Sequence, residues 1–83
     1  EDTSLFTIYG SNIVANEILI SNQEQYNNVT INIFSLTGSL LLERDYKSFQ
    51  NINRLNVSQF ESGLYFINIK VNNTNQILKF LKK

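Results

Sequence analysis

The sequence predicts an all-β domain, a two-sheet sandwich of about seven short antiparallel strands. Two observations predict it. Apolar residues recur in short runs at roughly ten-residue spacing, several with a period of two, as in strands with one buried face. Between the runs stand clusters of Asn, Ser and Gly, the residues that reverse a chain. With 83 residues, 42% of them hydrophobic, the chain is expected to form a single domain over residues 1–83 around a small core.

The first candidate strand is Leu5-Phe6-Thr7-Ile8-Tyr9, stopped by Gly10-Ser11-Asn12. Residues 16–21 form the next, and polar residues 22–28 read as a loop. Val29-Thr30-Ile31-Asn32-Ile33-Phe34 alternates, with Val29, Ile31 and Ile33 on one face. Leu36-Thr37-Gly38-Ser39 reads as a hairpin turn in which Gly38 supplies the positive φ of a primed turn or bulge. Residues 40–46 return as the partner strand, and residues 47–51 read as a polar crossing. Residues 52–57 form a short strand with Leu55 and Val57 pointing one way. Ser58-Gln59-Phe60-Glu61 matches the S-x-x-E capping box, which predicts one helical turn that drops Phe60 into the core. Gly63 then reverses the chain into a strand with Tyr65, Ile67, Ile69 and Val71 on one face. Residues 72–75 form a tight turn and residues 76–82 the last strand. The expected core is Ile31, Ile33, Leu55, Val57, Phe60, Tyr65, Ile67 and Ile69.

One spacing makes the sandwich immunoglobulin-like. In that fold a tyrosine near the start of the penultimate strand bonds back to the backbone just upstream, and Phe60-x-x-Gly63-x-Tyr65 has this arrangement. Ile67 stands where the second cysteine of the inter-sheet disulfide would be. Tyr65 is therefore expected to be structural.

The residues for catalysis are missing. The chain has no His and no Cys, which removes the commonest general base and thiolate chemistry. Glu43 and Asp45 share a strand face but read as a solvated edge beside Arg44. The three glycines are isolated, so there is no phosphate loop, and no calcium loop occurs. No catalytic, cofactor-binding or metal-ligating residue is expected. Tyr9, Tyr26, Tyr46 and Phe49 could stack on sugar, but so small a core needs most of its aromatics. Thirteen asparagines create three N-x-S/T triplets. About two would arise by chance, so they are not read as glycosylation acceptors.

Net charge is zero but unevenly laid out. Residues 1–43 carry Glu1, Asp2, Glu17, Glu24 and Glu43 and no Lys or Arg, whereas residues 62–83 carry Lys70, Lys79, Lys82 and Lys83 and no acid. Basic residues too few to follow a phosphate backbone make nucleic acid an unexpected partner. No apolar run approaches the length of a membrane helix, and the strands are too few for a membrane barrel, so membrane insertion is not expected. No basic, apolar leader opens the chain, which suggests a domain cut from a longer secreted protein.

Over residues 29–83 the chain resembles the type A C-terminal sorting domain of the type IX (Por) secretion system. Ile31-Asn32-Ile33-Phe34-Ser35-Leu36-Thr37-Gly38 matches the family's alternating strand and glycine hairpin. Leu55-Asn56-Val57-Ser58-Gln59-Phe60-Glu61-Ser62-Gly63-Leu64-Tyr65 matches its S-x-L-x-x-G-x-Y stretch, with Phe60 at the leucine position. Leu78-Lys79-Phe80-Leu81-Lys82-Lys83 matches its closing segment. The family's Y-P-N-P opening is replaced by Tyr9-Gly10-Ser11-Asn12, without proline.

The resemblance implies an address label at the end of a cargo protein. Such a domain follows an N-terminal cargo into the periplasm of a Gram-negative bacterium and is recognised by the outer-membrane machinery. A sortase-like protease then removes it, and the cargo is released or anchored at the cell surface. The expected recognition residues are Gly63, Tyr65, Lys79, Phe80, Leu81, Lys82 and Lys83, with Gly38, Ser58, Phe60, Gly63 and Tyr65 as the structural motif. The last strand is expected to lie at a sheet edge, open at little cost, and be read by strand addition or by its lysines. The competing expectation is a non-catalytic immunoglobulin- or fibronectin-like accessory module of a secreted protein, serving as a carbohydrate binder or a spacer.

Overall fold

A computed structural model describes residues 5–49 and 52–83. Glu1, Asp2, Gln50 and Asn51, which figure in the expected charge layout and polar crossing, lie outside the described residues. Eight strands follow in order: β1 (Phe6–Ile8), β2 (Ile13–Val14), β3 (Glu17–Asn22), β4 (Tyr26–Ser35), β5 (Leu40–Phe49), β6 (Ile52–Asn56), β7 (Gly63–Val71) and β8 (Thr74–Lys82). They form a three-stranded sheet, β1-β3-β6, and a five-stranded sheet, β2-β8-β7-β4-β5. This strand order repeats the A-B-E and G-F-C sheets of an immunoglobulin domain, with β5 in the C′ place.

Two expectations change. There are eight described strands, because the two-residue β2 carries too little periodicity to be read. And β2 runs parallel to β8, pairing Ile13 with Leu81 and Val14 with Lys82, whereas every other pair is antiparallel. The chain thus pairs first with one sheet as β1, crosses at Gly10-Ser11-Asn12, and pairs with the other as β2.

The core lies between the sheets. Ile18 and Ile20 of β3 and Leu55 of β6 face Val29, Ile31 and Ile33 of β4 and Tyr65, Ile67, Ile69 and Val71 of β7. Period-two alternation puts these residues inward, and their burial supplies the main driving force. Seven of the eight expected core residues are buried. The exception is Phe60, which is half-buried and packs against the core's rim.

The β4–β5 hairpin closes at Gly38. Gly38 N donates to Ser35 O (3.0 Å) and Ser35 N to Ser39 O (2.9 Å), with Gly38 at φ 95°. This is a type I turn followed by a left-handed glycine, and the register shifts by one residue after Ile33.

The far end of the same pair departs from the sequence reading. Residues 22–28 were expected as a loop and residues 47–51 as a crossing. Instead β4 starts at Tyr26 and β5 runs through Phe49, so only residues 23–25 separate β3 from β4. Asn28 takes a left-handed backbone, φ 60°, which Asn tolerates better than most side chains. Beyond it the alternation is out of step, so Tyr26 turns toward the core and Phe49 is fully buried. The Phe49 ring meets Phe6 edge-on at 5.6 Å and Tyr46 edge-on at 5.0 Å. Phe49→Ala is expected to destabilise the domain by about 3–5 kcal/mol, measured by urea unfolding. Loss of less than about 1 kcal/mol would mean that this end of the sandwich is open.

Candidate functional site

The sequence points to the corner before β7 and to β8. At the corner, Asn56 Oδ1 accepts hydrogen bonds from Ser58 N (2.9 Å) and Ser58 Oγ (2.7 Å). Phe60 N donates to Val57 O at 3.0 Å. Residues 57–60 therefore form a single reverse turn, and the expected helical turn is absent. The Asn56 side chain takes the Ser58 amide and hydroxyl, and a four-residue reversal leaves no helix for Ser58 to cap.

Gly63 follows at φ 151°. An added Cβ would meet nothing within 4 Å there, so the demand for glycine comes from the backbone and not from crowding. Two residues on, the Tyr65 hydroxyl donates to Glu61 O at 2.6 Å, the tyrosine corner expected from the spacing. The Tyr65 ring lies against Phe60 at 5.2 Å and stacks on Phe80 of β8 at 5.3 Å with an interplanar angle of 19°. Corner, β7 and β8 are thus joined through one aromatic ring.

The structure corrects the picture of β8 as an open edge. Along one side it pairs with β7 from Gly63↔Lys82 to Val71↔Thr74. Along the other, Leu81 N donates to Asn12 O and Lys83 N to Val14 O, both at 2.8 Å. Strand β2, invisible in the sequence, clamps the end of β8. Further up, the Gln76 side chain stands in for a strand. Its Oε1 accepts from Leu5 N (2.9 Å) and Phe6 N (3.0 Å), and its Nε2 donates to Phe6 O (2.5 Å). One glutamine side chain thereby fastens β1 of the small sheet to β8 of the large one.

The seven expected recognition residues divide into two groups. Tyr65 and Phe80 are core residues, Gly63 shapes the corner, and Lys82 is 8% exposed with its Nζ on Lys83 O at 3.1 Å. Lys79, Leu81 and Lys83 alternate with these and are exposed. The sequence could not separate the two groups because the last stretch, read alone, alternates lysine and apolar residues on both faces.

The site's chemistry is that of a surface. Among the described residues no group of His, Cys, Asp or Glu could hold a metal ion. Burial raises the Tyr46 hydroxyl above the ordinary tyrosine value, against an opposing pull from Arg44, so it moves away from neutral pH. Of the four aromatics considered for sugar stacking, Phe49 is buried, Tyr26 and Tyr46 pack on the core, and only Tyr9 is exposed. They form no platform.

The model of the secretion system C-terminal sorting domain matches residues 7–83, from β1 through β8. The chain belongs to this family. It carries a type IX C-terminal sorting signal, and the proteins that bear such a signal are exported by Gram-negative bacteria to the cell surface or beyond. A sorting signal is not a catalytic family. No curated protein and no solved structure matches the chain.

Two variants separate the corner's parts. Gly63→Val should destabilise by more than about 1 kcal/mol through backbone strain alone, and Tyr65→Phe by about 1–2 kcal/mol through the lost hydrogen bond. Thermal melts of both check this. A Gly63→Val domain melting with the wild type would show that the corner does not require glycine.

Proposed function

We propose that the outer-membrane type IX machinery reads this domain on the outward side of β8, through Lys79, Leu81 and Lys83. Gly63, Tyr65, Phe80 and Lys82 hold the strand in the conformation that is read. The domain follows an N-terminal cargo in the same chain and passes with it through the outer membrane. A surface sortase-like protease then removes the domain, and the cargo is released or anchored. The observation that carries this reading is the family match, which spans all of β8.

The burial pattern supports dividing recognition from support. A fully buried Phe80 cannot be touched by a receptor while the sandwich stays closed. A lysine beside it on the outward face can be touched without any unfolding. Deleting the end of β8 would remove Phe80 and collapse the core, so a truncation cannot tell loss of the signal from loss of the fold.

The experiment uses a fluorescent cargo with an export leader, fused ahead of the domain, in a bacterium with the type IX system. The triple variant Lys79→Glu, Leu81→Glu, Lys83→Glu should keep its melting temperature within a few degrees, since exposed substitutions cost little. Its cargo should stay in the periplasm while the wild-type fusion reaches the surface or medium. Export of a folded triple variant at the wild-type level would place recognition elsewhere.

A further inference from the structure

We propose that β5 pairs edge to edge, antiparallel, with β5 of a second copy about a two-fold axis at Tyr46. The inference does not rest on the secretion reading. Strand β5 lies at the far side of the large sheet from β8, so the pair leaves Lys79, Leu81 and Lys83 uncovered in both copies.

Strand β5 ends the five-stranded sheet, and among the described residues no strand covers its outer side. Which of its backbone groups are unpaired follows from the hydrogen bonds at the other side of the sheet. Leu81 N is bonded to Asn12 O, so the backbone of Lys82 turns toward β7. Alternation, carried through the registers of β7 and β4, turns Leu42, Arg44 and Tyr46 toward β4 and Glu43, Asp45 and Lys47 away from it. The amides and carbonyls of these last three form a template for another strand. Natural edges are guarded by short length, proline or repelling charge. Strand β5 runs from Leu40 to Phe49 without proline, and its charges alternate in sign through Glu43, Arg44, Asp45 and Lys47. The register shift between Ile33 and Phe34 lies near the hairpin, outside the stretch that would pair.

The order of these charges selects the partner. In an antiparallel pair about a two-fold axis, residues equidistant from the axis face each other. An axis at Glu43, Arg44, Asp45 or Lys47 sets that residue's charge directly against itself. Axes nearer either end of β5 leave only a short overlap. An axis at Tyr46 avoids both faults. Asp45 then faces Lys47 of the second copy, Lys47 faces Asp45 by symmetry, and Glu43 lies diagonal to Lys47. Asp45 and Lys47 are exposed and help line one hollow with Asn28 and Thr30. Asp45 Oδ1 accepts from Thr30 Oγ1 at 2.8 Å, which leaves its other oxygen for the lysine. On the inner side Arg44 faces Ser48, and the half-buried Tyr46 ring meets the same ring of the second copy. Opposite charges and aromatic rings directly across a strand pair are favourable, and like charges are not. A strand that matches itself is the argument for a second copy over an unrelated partner.

Asp45 and Lys47 of each copy would exchange backbone hydrogen bonds with Lys47 and Asp45 of the other. The overlap, Glu43 to Phe49, buries less surface than a standard interface, so the pair should be weak.

Sedimentation equilibrium of the chain from about 10 μM to about 1 mM tests the proposal. Self-association within that range is expected. Asp45→Lys alone or Lys47→Asp alone should weaken it about tenfold by setting like charges opposite each other, and the two together should restore it. An unchanged melting temperature confirms that these exposed substitutions leave the fold intact. A second readout needs no variant: amide hydrogen exchange at Asp45 and Lys47 of the wild-type chain should slow as its concentration rises. A monomer throughout the range would overturn the proposal. So would single reversals that associate like the wild type, a double variant that is not restored, or association that leaves exchange at Asp45 and Lys47 unchanged.

Discussion

The structure depends on β8 being held from both sides. A strand bonded only to β7 would be an edge, free to fray. Here Asn12 and Val14 accept hydrogen bonds from Leu81 and Lys83, and the Phe80 ring lies on Tyr65 within the core. Tyr65 in turn fixes the corner through Glu61 O, and the corner sets where β7 begins. Gln76 carries the constraint to the other sheet by binding the start of β1. Opening β8 would thus break backbone pairing with two strands, an aromatic stack and a tie between the sheets. Such a group of mutually dependent contacts behaves as one cooperative unit.

This constraint has a functional meaning for a sorting signal. A label must be unmistakable while its cargo travels. A strand locked by its neighbours shows one fixed side, and alternation makes that side Lys79, Leu81 and Lys83 while Phe80 and Lys82 stay inside. On the reading proposed above, the machinery meets a folded surface rather than a loose tail. Lys79 serves a second purpose: between the β1 tie at Gln76 and the β2 clamp at Leu81 a stretch of β8 carries no partner strand, and charge there discourages pairing with a stray strand.

Much of this was legible in the sequence, for reasons that differ by element. The long strands β4 and β7 alternate at Val29, Ile31, Ile33 and at Tyr65, Ile67, Ile69, Val71, because one face of each must be apolar. The tyrosine corner was legible because it needs a glycine and a tyrosine at fixed spacing. What failed were features decided by tertiary contact. Strand β2 has two residues and exists because β8 offers it a backbone. Phe49 is buried because Asn28 breaks the pleat, and nothing in a run of Asn signals which asparagine will turn left-handed. Ser58 fits a capping pattern, but Asn56 binds it first. Phe60 was expected deep in the core and stops at its rim, against the Tyr65 ring. Within the candidate site, the residue types were readable and their division into buried and exposed was not. Lys82 shows why, since its burial follows from pairing with Gly63 and not from its own chemistry.

The central claim, that β8 is clamped and not an edge, is tested most directly by residue-resolved amide hydrogen exchange. Strand geometry turns the amides of Ile77, Lys79, Leu81 and Lys83 away from β7, and only the last two meet acceptors on the β2 segment. The account predicts that Leu81 and Lys83 exchange slowly, at rates approaching those of core amides in β4 and β7, while Ile77 and Lys79 on the same side exchange fast. Exchange of Leu81 and Lys83 as fast as that of Lys79 would contradict it, and would return β8 to the open edge that the sequence suggested.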